Sequence, residues 1–287
     1  MIYCDLTGGL GYQLFQIFAT ISYALQYKHQ FRLPNKKKIG KRLAYWNNIF
    51  QPLQIFLAPS TLLQTLVREK AFHYSPIKYI DPNEKFVITG YYQSEKYFIR
   101  HFDIICRMLR LDKLRSDTIY KYPMLINNGI YKNVISMHFR FGDYIYKQNS
   151  HPILSYYYYE NALMYMTINT CCSIVLVFCD EINNISVSFV IRRLNETFPN
   201  IIFEVVHEES SDWEQLLLMS ACSHNIIANS AFSWWGAYLN KNTEKLVCYP
   251  ETWFGPELKR NNTKDLFPPD WKQIQCDLYH DDSNIIF

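Results

Sequence analysis

The heptapeptide His138-Phe139-Arg140-Phe141-Gly142-Asp143-Tyr144 holds a suggestive mixture of side chains. A guanidinium offers a planar fork of donors that matches a diphosphate. Gly142 lets the backbone turn sharply. Asp143 can take a proton or orient the arginine, so it is a candidate general base with arginine orientation as the alternative. Two further clusters have related chemistry. Thr7-Gly8-Gly9-Leu10-Gly11-Tyr12-Gln13 spends three of the chain's nine glycines in one short stretch, which brings backbone N–H groups within reach of a ligand. Asn229-Ser230-Ala231-Phe232-Ser233 offers hydroxyls and free N–H groups at a helix start, where capping is the structural alternative. Asp180-Glu181 and Glu208-Glu209 add carboxylates; Asp180 or Glu208 could meet a ribose or a base.

Other chemistries have little to stand on. The eight histidines are scattered, with no His-x-x-x-His and no paired Cys/His spacing. Asp281-Asp282 lies in a polar tail rather than after an apolar strand. A departing diphosphate would therefore be met by Arg140 and a helix dipole, with no metal and no cofactor. No Gly-x-Ser-x-Gly elbow and no P-loop occur, and the glycine pattern is not that of a dinucleotide site.

These residues fall where strands give way to loops or helices. The segment 133–139 reads as a buried strand running into the heptapeptide. Met1–Leu6 reads as a strand, followed by the glycine turn and a helix with apolar residues at Leu14, Ile17, Phe18, Ile21 and Leu25. Leu53–Val67 is expected to form one or two helices. Lys85–Thr89 reads as a strand and Ile99–Leu111 as a helix. Beyond 133, strands at 173–179, 200–206, 224–228 and 245–249 alternate with helices at 156–166, 185–195, 212–222 and 229–239. Such alternation predicts parallel sheets covered by helices. The polar, turn-prone stretch 112–132 predicts a boundary, giving domains 1–130 and 131–287. In such a sheet the junctions at Arg140, Asp180 and Asn229 open on one edge.

Composition agrees with a folded α/β protein. Hydrophobic residues make up 49% of 287, enough for two cores. The charge of +3 is too mild to argue for nucleic acid, and Lys36–Arg42 reads as a solvated basic loop. Aromatics at 17% suit sugar faces and cores alike; Trp234 and Trp235 are read as core. The cysteines show no Cys-x-x-Cys and are read as reduced thiols of a soluble, cytoplasmic protein. No signal peptide or transmembrane helix is read, and peripheral membrane contact stays open.

Taken in order, the motifs resemble those of the α-1,2-fucosyltransferases of glycosyltransferase family 11. Gly8–Phe15 is similar to the family's opening glycine turn, and His138–Tyr144 to its His-x-Arg-Arg-Gly-Asp-Tyr motif. Gly90–Phe98 and Ala228–Ala237 are similar to two further family segments. The resemblance implies a GT-B-like fold, two Rossmann-like domains with an interdomain cleft. It implies an inverting, metal-independent transfer of L-fucose from GDP-β-L-fucose to the 2-hydroxyl of a sugar, with an oligosaccharide or glycoconjugate as acceptor. The donor falls to the C-terminal domain and the acceptor to the N-terminal one. Arg140 is implied at the GDP phosphates, with Gly9, Gly11, Gln13, His138, Asn229, Ser230 and Ser233 as substrate-binding residues. Three positions depart from the family: Tyr12 stands for Asn, Phe141 for a second Arg, and Gln215 for an acid. They keep open a different nucleotide-sugar donor or a glycan-binding relative without turnover.

Overall fold

A computed structural model describes residues 1–59, 65–122, 133–180, 184–206 and 210–276. Glu181, Glu208, Glu209 and Asp281-Asp282 lie outside the described residues. The chain divides into two units, Met1–Ser116 with Asn261–Pro269, and Asp117–Arg260 with the segment from Asp270 on. The division falls after Ser116, and a short piece of late sequence returns to the first unit.

The first unit is built on β1 (Ile2–Cys4) and α1 (Leu10–Tyr27). The helix is buried along nearly its whole length because apolar side chains recur on every face, with Phe15 and Phe18 fully enclosed. A helix apolar all round belongs inside a core. Next come β2 (Phe31–Pro34), the antiparallel pair β3 (Lys38–Ile39) and β4 (Arg42–Leu43), β5 (Leu57–Ala58), β6 (Thr65–Arg68) and β7 (Phe86–Thr89). The main sheet runs β5-β2-β1-β7-β6, all parallel. Of the one or two helices expected over 53–67, no α-helix is found among the described residues, and 60–64 lie outside them. A 3-10 turn at Gln51–Phe56 leads into β5, and β6 pairs with β7. Pro52 fits a helical first turn only, and β-branched Thr65 and Val67 suit a strand.

α2 (Phe102–Met108) and α3 (Leu111–Lys121) replace the single helix expected over 99–111. The break falls at Arg110, whose φ of 53° is left-handed.

The second unit follows the expected alternation. β8 (Val134–Phe139), α4 (Tyr156–Asn169), β9 (Ile174–Cys179), α5 (Ile185–Thr197), β10 (Ile202–Val205), α6 (Asp212–Met219), β11 (His224–Ile226), α7 (Ala231–Tyr238), β12 (Val247–Pro250) and β13 (Lys272–Ile274) succeed one another. The sheet order is β10-β9-β8-β11-β12-β13, all parallel. β8 is buried at every position, the mark of a central strand covered on both faces. Of the tyrosines opening α4, Tyr156, Tyr158 and Tyr159 enter the core. Trp234 and Trp235 are both fully buried, as expected for core residues. Each contributes roughly 2–3 kcal/mol of apolar burial. Both units are therefore Rossmann-like parallel sheets; α1 forms the β1–β2 crossover of the first, and α4 to α7 lie between successive strands of the second.

Among the described residues no helix is long and apolar enough to cross a membrane. All eight cysteines are free thiols, with Cys4, Cys179, Cys222 and Cys248 buried.

Candidate active site

Strand register builds the main site. Phe139 pairs with Cys179 across β8 and β9, so the next residues, Arg140 and Asp180, leave the same sheet edge side by side. Arg140 gives Nη1 to Asp180 and Nη2 to Asp143. Asp180 is doubly engaged, because its Oδ1 accepts the Phe141 N–H at 3.1 Å. The loop is tight at Gly142, whose φ is +28°. A Cβ there would sit 2.1 Å from Asp180 Oδ2 and 3.1 Å from Arg140 Nη1. Asp143 accepts a second bond from Lys147 Nζ at 2.7 Å. Its oxygens thus lie between two cations, the arrangement of an arginine-orienting residue.

Tyr144 joins this loop to the next junction. The Arg140 guanidinium lies 4.8 Å from the centre of its ring, and His151 stacks on that ring at 4.9 Å. Its hydroxyl donates to the Asn229 carbonyl at 3.1 Å, just past β11. Burial pushes the Tyr144 phenol up to about 12, against the opposing pull of Arg140. The hydroxyl therefore keeps its proton and holds the two loops together.

At this second junction Ser230 caps α7, its oxygen accepting the Phe232 N–H at 3.3 Å. Ser233 is fully buried and donates to the carbonyls of Ala228 and Ser230. Its hydroxyl is turned inward, leaving Ser230 and the helix N-terminus at the edge. Asn229 spends its amide N–H groups on the carbonyls of Pro152 at 2.8 Å and Trp253 at 3.4 Å. Among the described residues its Oδ1 has no protein partner. His138 is enclosed beside Phe232, ring centroids 5.5 Å apart. Burial first, and Arg140 second, push its pKa down to about 3, so the imidazole is neutral.

The departures from the motif now have places. Phe141 is buried in the core near Phe139. A second guanidinium is thus exchanged for apolar packing behind the loop. Gln215 donates to the Ser210 carbonyl at 3.1 Å. The acid of that turn is Glu214, which closes a capping box with Ser211 and bonds Lys121 Nζ at 2.7 Å.

The first unit has its own sheet edge, at the carboxyl ends of β1 and β7. Gly8 has φ +76°, and a Cβ there would meet Tyr12 Cδ2 at 2.4 Å. Gly9 caps α1 with nothing within 4 Å of an added Cβ, and Gly11 is buried inside the helix. Gln13 is fully buried, its Nε2 donating to Gly8 O at 3.0 Å and Leu43 O at 2.7 Å, so it holds the turn from behind. Gln16 ties the turn to β7, accepting from Thr7 N and donating to Gly90 O. Beside it Tyr12 and Tyr91 pack with centroids 5.1 Å apart.

The structure thus brings Arg140, Asp143, Asn229 and Ser230 to one edge, as their spacing predicts. It adds three residues that sequence reasoning did not assign to the arginine: Asp180, Lys147 and Tyr144. The signals were faint. Asp180 directly follows a buried strand, and Lys147 stands four residues after Asp143. Among the described residues no group of three or more His, Cys, Asp or Glu is placed to hold a metal ion.

A parallel sheet whose carboxyl edge presents a clamped arginine beside a helix N-terminus defines an α/β protein with the parts from which an anion site can be built. Sequence comparison narrows the class. Residues 77–275 match the family described as Glycosyl transferase family 11, and the chain belongs to that family. The match takes in the heptapeptide and the α7 motif but not the opening glycine turn. The O-antigen biosynthesis glycosyltransferase WbnK of Escherichia coli is 31% identical over 190 residues, 63% of this chain and 59% of that protein. An alpha-1,2-colitosyltransferase of Escherichia coli is 28% identical over 189 residues, 65% of this chain and 61% of its own length. The matched stretch thus spans about three fifths of these relatives. Among solved structures, NodZ alpha-1,6-fucosyltransferase co-crystallized with GDP aligns at TM-score 0.43 and 12% identity, covering 82% of this chain and 91% of its own. POFUT1 in complex with GDP-fucose aligns at 0.48 and 8%, covering 86% and 97%.

Proposed function

We propose that this chain is an inverting fucosyltransferase that moves L-fucose from GDP-β-L-fucose to the 2-hydroxyl of a galactoside acceptor. The observation that carries the reading is Arg140, held at the carboxyl edge of the second sheet beside the Ser230 cap of α7. The family membership fixes the reaction class to which that geometry is referred.

The acceptor hydroxyl attacks the anomeric carbon and gives its proton to a carboxylate base, for which Asp143 is the candidate, as the bond from that carbon to the diphosphate breaks on the opposite face. Positioning lowers the barrier. Arg140 and the α7 N-terminus stabilise the charge that develops on the leaving group. Asp143 orients Arg140. The open face of Gly9 and the Tyr12–Tyr91 pair support placing the acceptor at the first unit. No metal is required, because the guanidinium and the helix dipole supply the positive potential.

Incubation with GDP-fucose and a panel of β-galactosides, with the new linkage read by NMR, tests the reading. An α-1,2 product formed equally well in EDTA is expected; no transfer and no donor hydrolysis across the panel overturns it. Arg140→Ala is expected to abolish calorimetric GDP binding. The colitosyltransferase among the relatives favours a second reading, a nucleotide sugar other than GDP-fucose as donor. Thermal shifts across a donor panel separate the two, since only a bound donor stabilises the fold.

A further inference from the structure

We propose that the β3–β4 hairpin of the first unit is a contact for an anionic membrane surface. The inference goes beyond the donor reading and does not rest on it.

Charge is divided unevenly along the chain. The first unit has 18 lysines and arginines against eight acids, a net +10, and the second has 11 against 18, a net −7. Arg140, assigned to the donor, lies in the second unit, so the donor does not account for the charge of the first. From Leu6 to Arg68 the chain has eight lysines and arginines and no Asp or Glu. Five of the eight, Lys36, Lys37, Lys38, Lys41 and Arg42, fall within seven residues, and all five are exposed.

The fold sets these cations on a pinned support rather than on the solvated loop expected from sequence. Lys38 pairs with Leu43, and Ile39 with Arg42, across β3 and β4. Gly40, with φ +58°, opens their two-residue turn. Ile39 is buried and fixes the hairpin from beneath. The Lys36 carbonyl accepts from Trp46 Nε1 at 3.0 Å, the Lys37 carbonyl from the Ala44 N–H at 3.2 Å, and the Leu43 carbonyl from Gln13 Nε2 at 2.7 Å. Among the described residues none of the four lysines forms an ion pair. Packed into one short hairpin, the cations act together over a Debye length of about 8 Å at physiological salt.

Their neighbours select a lipid surface over a nucleic acid. Leu43, the cross-strand partner of Lys38, is 56% exposed. Ile55 is 80% exposed, in the 3-10 turn that Gln54 ties to the Trp46 carbonyl at 2.7 Å. Cations beside open aliphatic side chains suit a headgroup layer, where charge meets anionic lipid and the apolar groups enter. Stacking of bases needs open rings, and Tyr45, Trp46 and Phe50 are all buried.

Co-sedimentation of the full chain with vesicles tests this. Vesicles of equal parts phosphatidylglycerol and phosphatidylcholine are expected to bind the chain, less so as salt rises, and phosphatidylcholine alone to bind little. Lys37→Ser with Lys38→Ser is expected to weaken partitioning by about fivefold per charge, roughly 25-fold together. The urea midpoint should stay in place, because both side chains are exposed. Arginine at the same two positions is expected to retain full binding. Lys259→Ser with Arg260→Ser removes equal charge from exposed positions of the second unit and is expected to change partitioning by less than about twofold. Leu43→Ser is expected to weaken partitioning severalfold and to leave its salt dependence in place.

No preference for the anionic vesicles overturns the proposal. So does an equal loss from the second-unit pair, which would mark net charge alone, or undiminished binding without Lys37 and Lys38. Salt-sensitive binding to single-stranded RNA in place of vesicles would give the hairpin to nucleic acid, and overturns it as well.

Discussion

Arg140, Gly142 and His138 lie within five residues, yet each is held by something distant in sequence. Gly142 shows the constraint most directly. Its positive φ and its contact with Asp180 leave no room for a side chain. Gly142→Ala is expected to cost about 2–3 kcal/mol in urea unfolding from backbone strain and displacement of the carboxylate, and to weaken GDP along with it. His138 gives a prediction in pH. Its imidazole stays neutral in the fold down to about 3, whereas in the unfolded chain it takes a proton near 6.5. Between those values the unfolded state binds the extra proton, so stability falls as pH falls. The slope from this group is about 1.4 kcal/mol per pH unit once the pH is well below 6.5. Urea unfolding at pH 5 and 7 should show it, and His138→Gln should flatten it by about one proton. The arginine was legible in sequence as a strand-end cation that Asp143 could orient, but its second partner, Asp180, was not. Asp180 is 40 residues away, and only the β8–β9 register places the two together. Phe141 was legible as a lost charge; that its side chain fills the core depends on which way the loop turns after β8.

At the level of elements, the second unit shows how caps and strands hold the site edge in shape. α6 starts at a full capping box between Ser211 and Glu214, and Lys121 adds a charge-assisted bond. Burial alone would raise the Glu214 pKa, but Lys121 and the Ser211 donors outweigh it and keep the carboxyl low. Glu214→Ala is expected to destabilise the fold by about 1–3 kcal/mol, read as a lower urea midpoint. Asn225 serves β11 in a related way. Fully buried, it donates to Ser136 Oγ at 2.6 Å and accepts from Asn240 at 2.8 Å, bridging neighbouring elements. The long alternation after residue 133 was readable because buried strands and amphipathic helices differ in period there. The stretch around Leu53–Val67 was not. Its apolar run has no clear period, and the short parallel pairing of β6 with β7 fixes its form.

At the scale of the whole molecule, the thiols report on the fold. Of the eight, Cys171 is exposed, Cys276 is half-buried and the others are buried. Burial raises Cys4 to about 12, which further suppresses the reactive thiolate. Native alkylation should label Cys171 first and reach the buried set only on unfolding, and GDP should slow that second phase. A family model covering residues 77–275 includes all of the second sheet but little of the first. The glycine turn, legible as a ligand-approaching βα turn, therefore rests on its own geometry, above all the open face of Gly9.

The return of residues 261–269 to the first unit has one more consequence. Asp265 there accepts from Lys96 Nζ at 2.5 Å and from the Tyr74 N–H at 3.1 Å, and Leu266 is buried. On the ribosome, the unit whose chain emerges first cannot be completed until these late residues have been translated. A nascent chain halted before Asn261 would carry a first unit with Lys96 and Tyr74 still waiting for Asp265, although more than a hundred residues of the second unit had already been made.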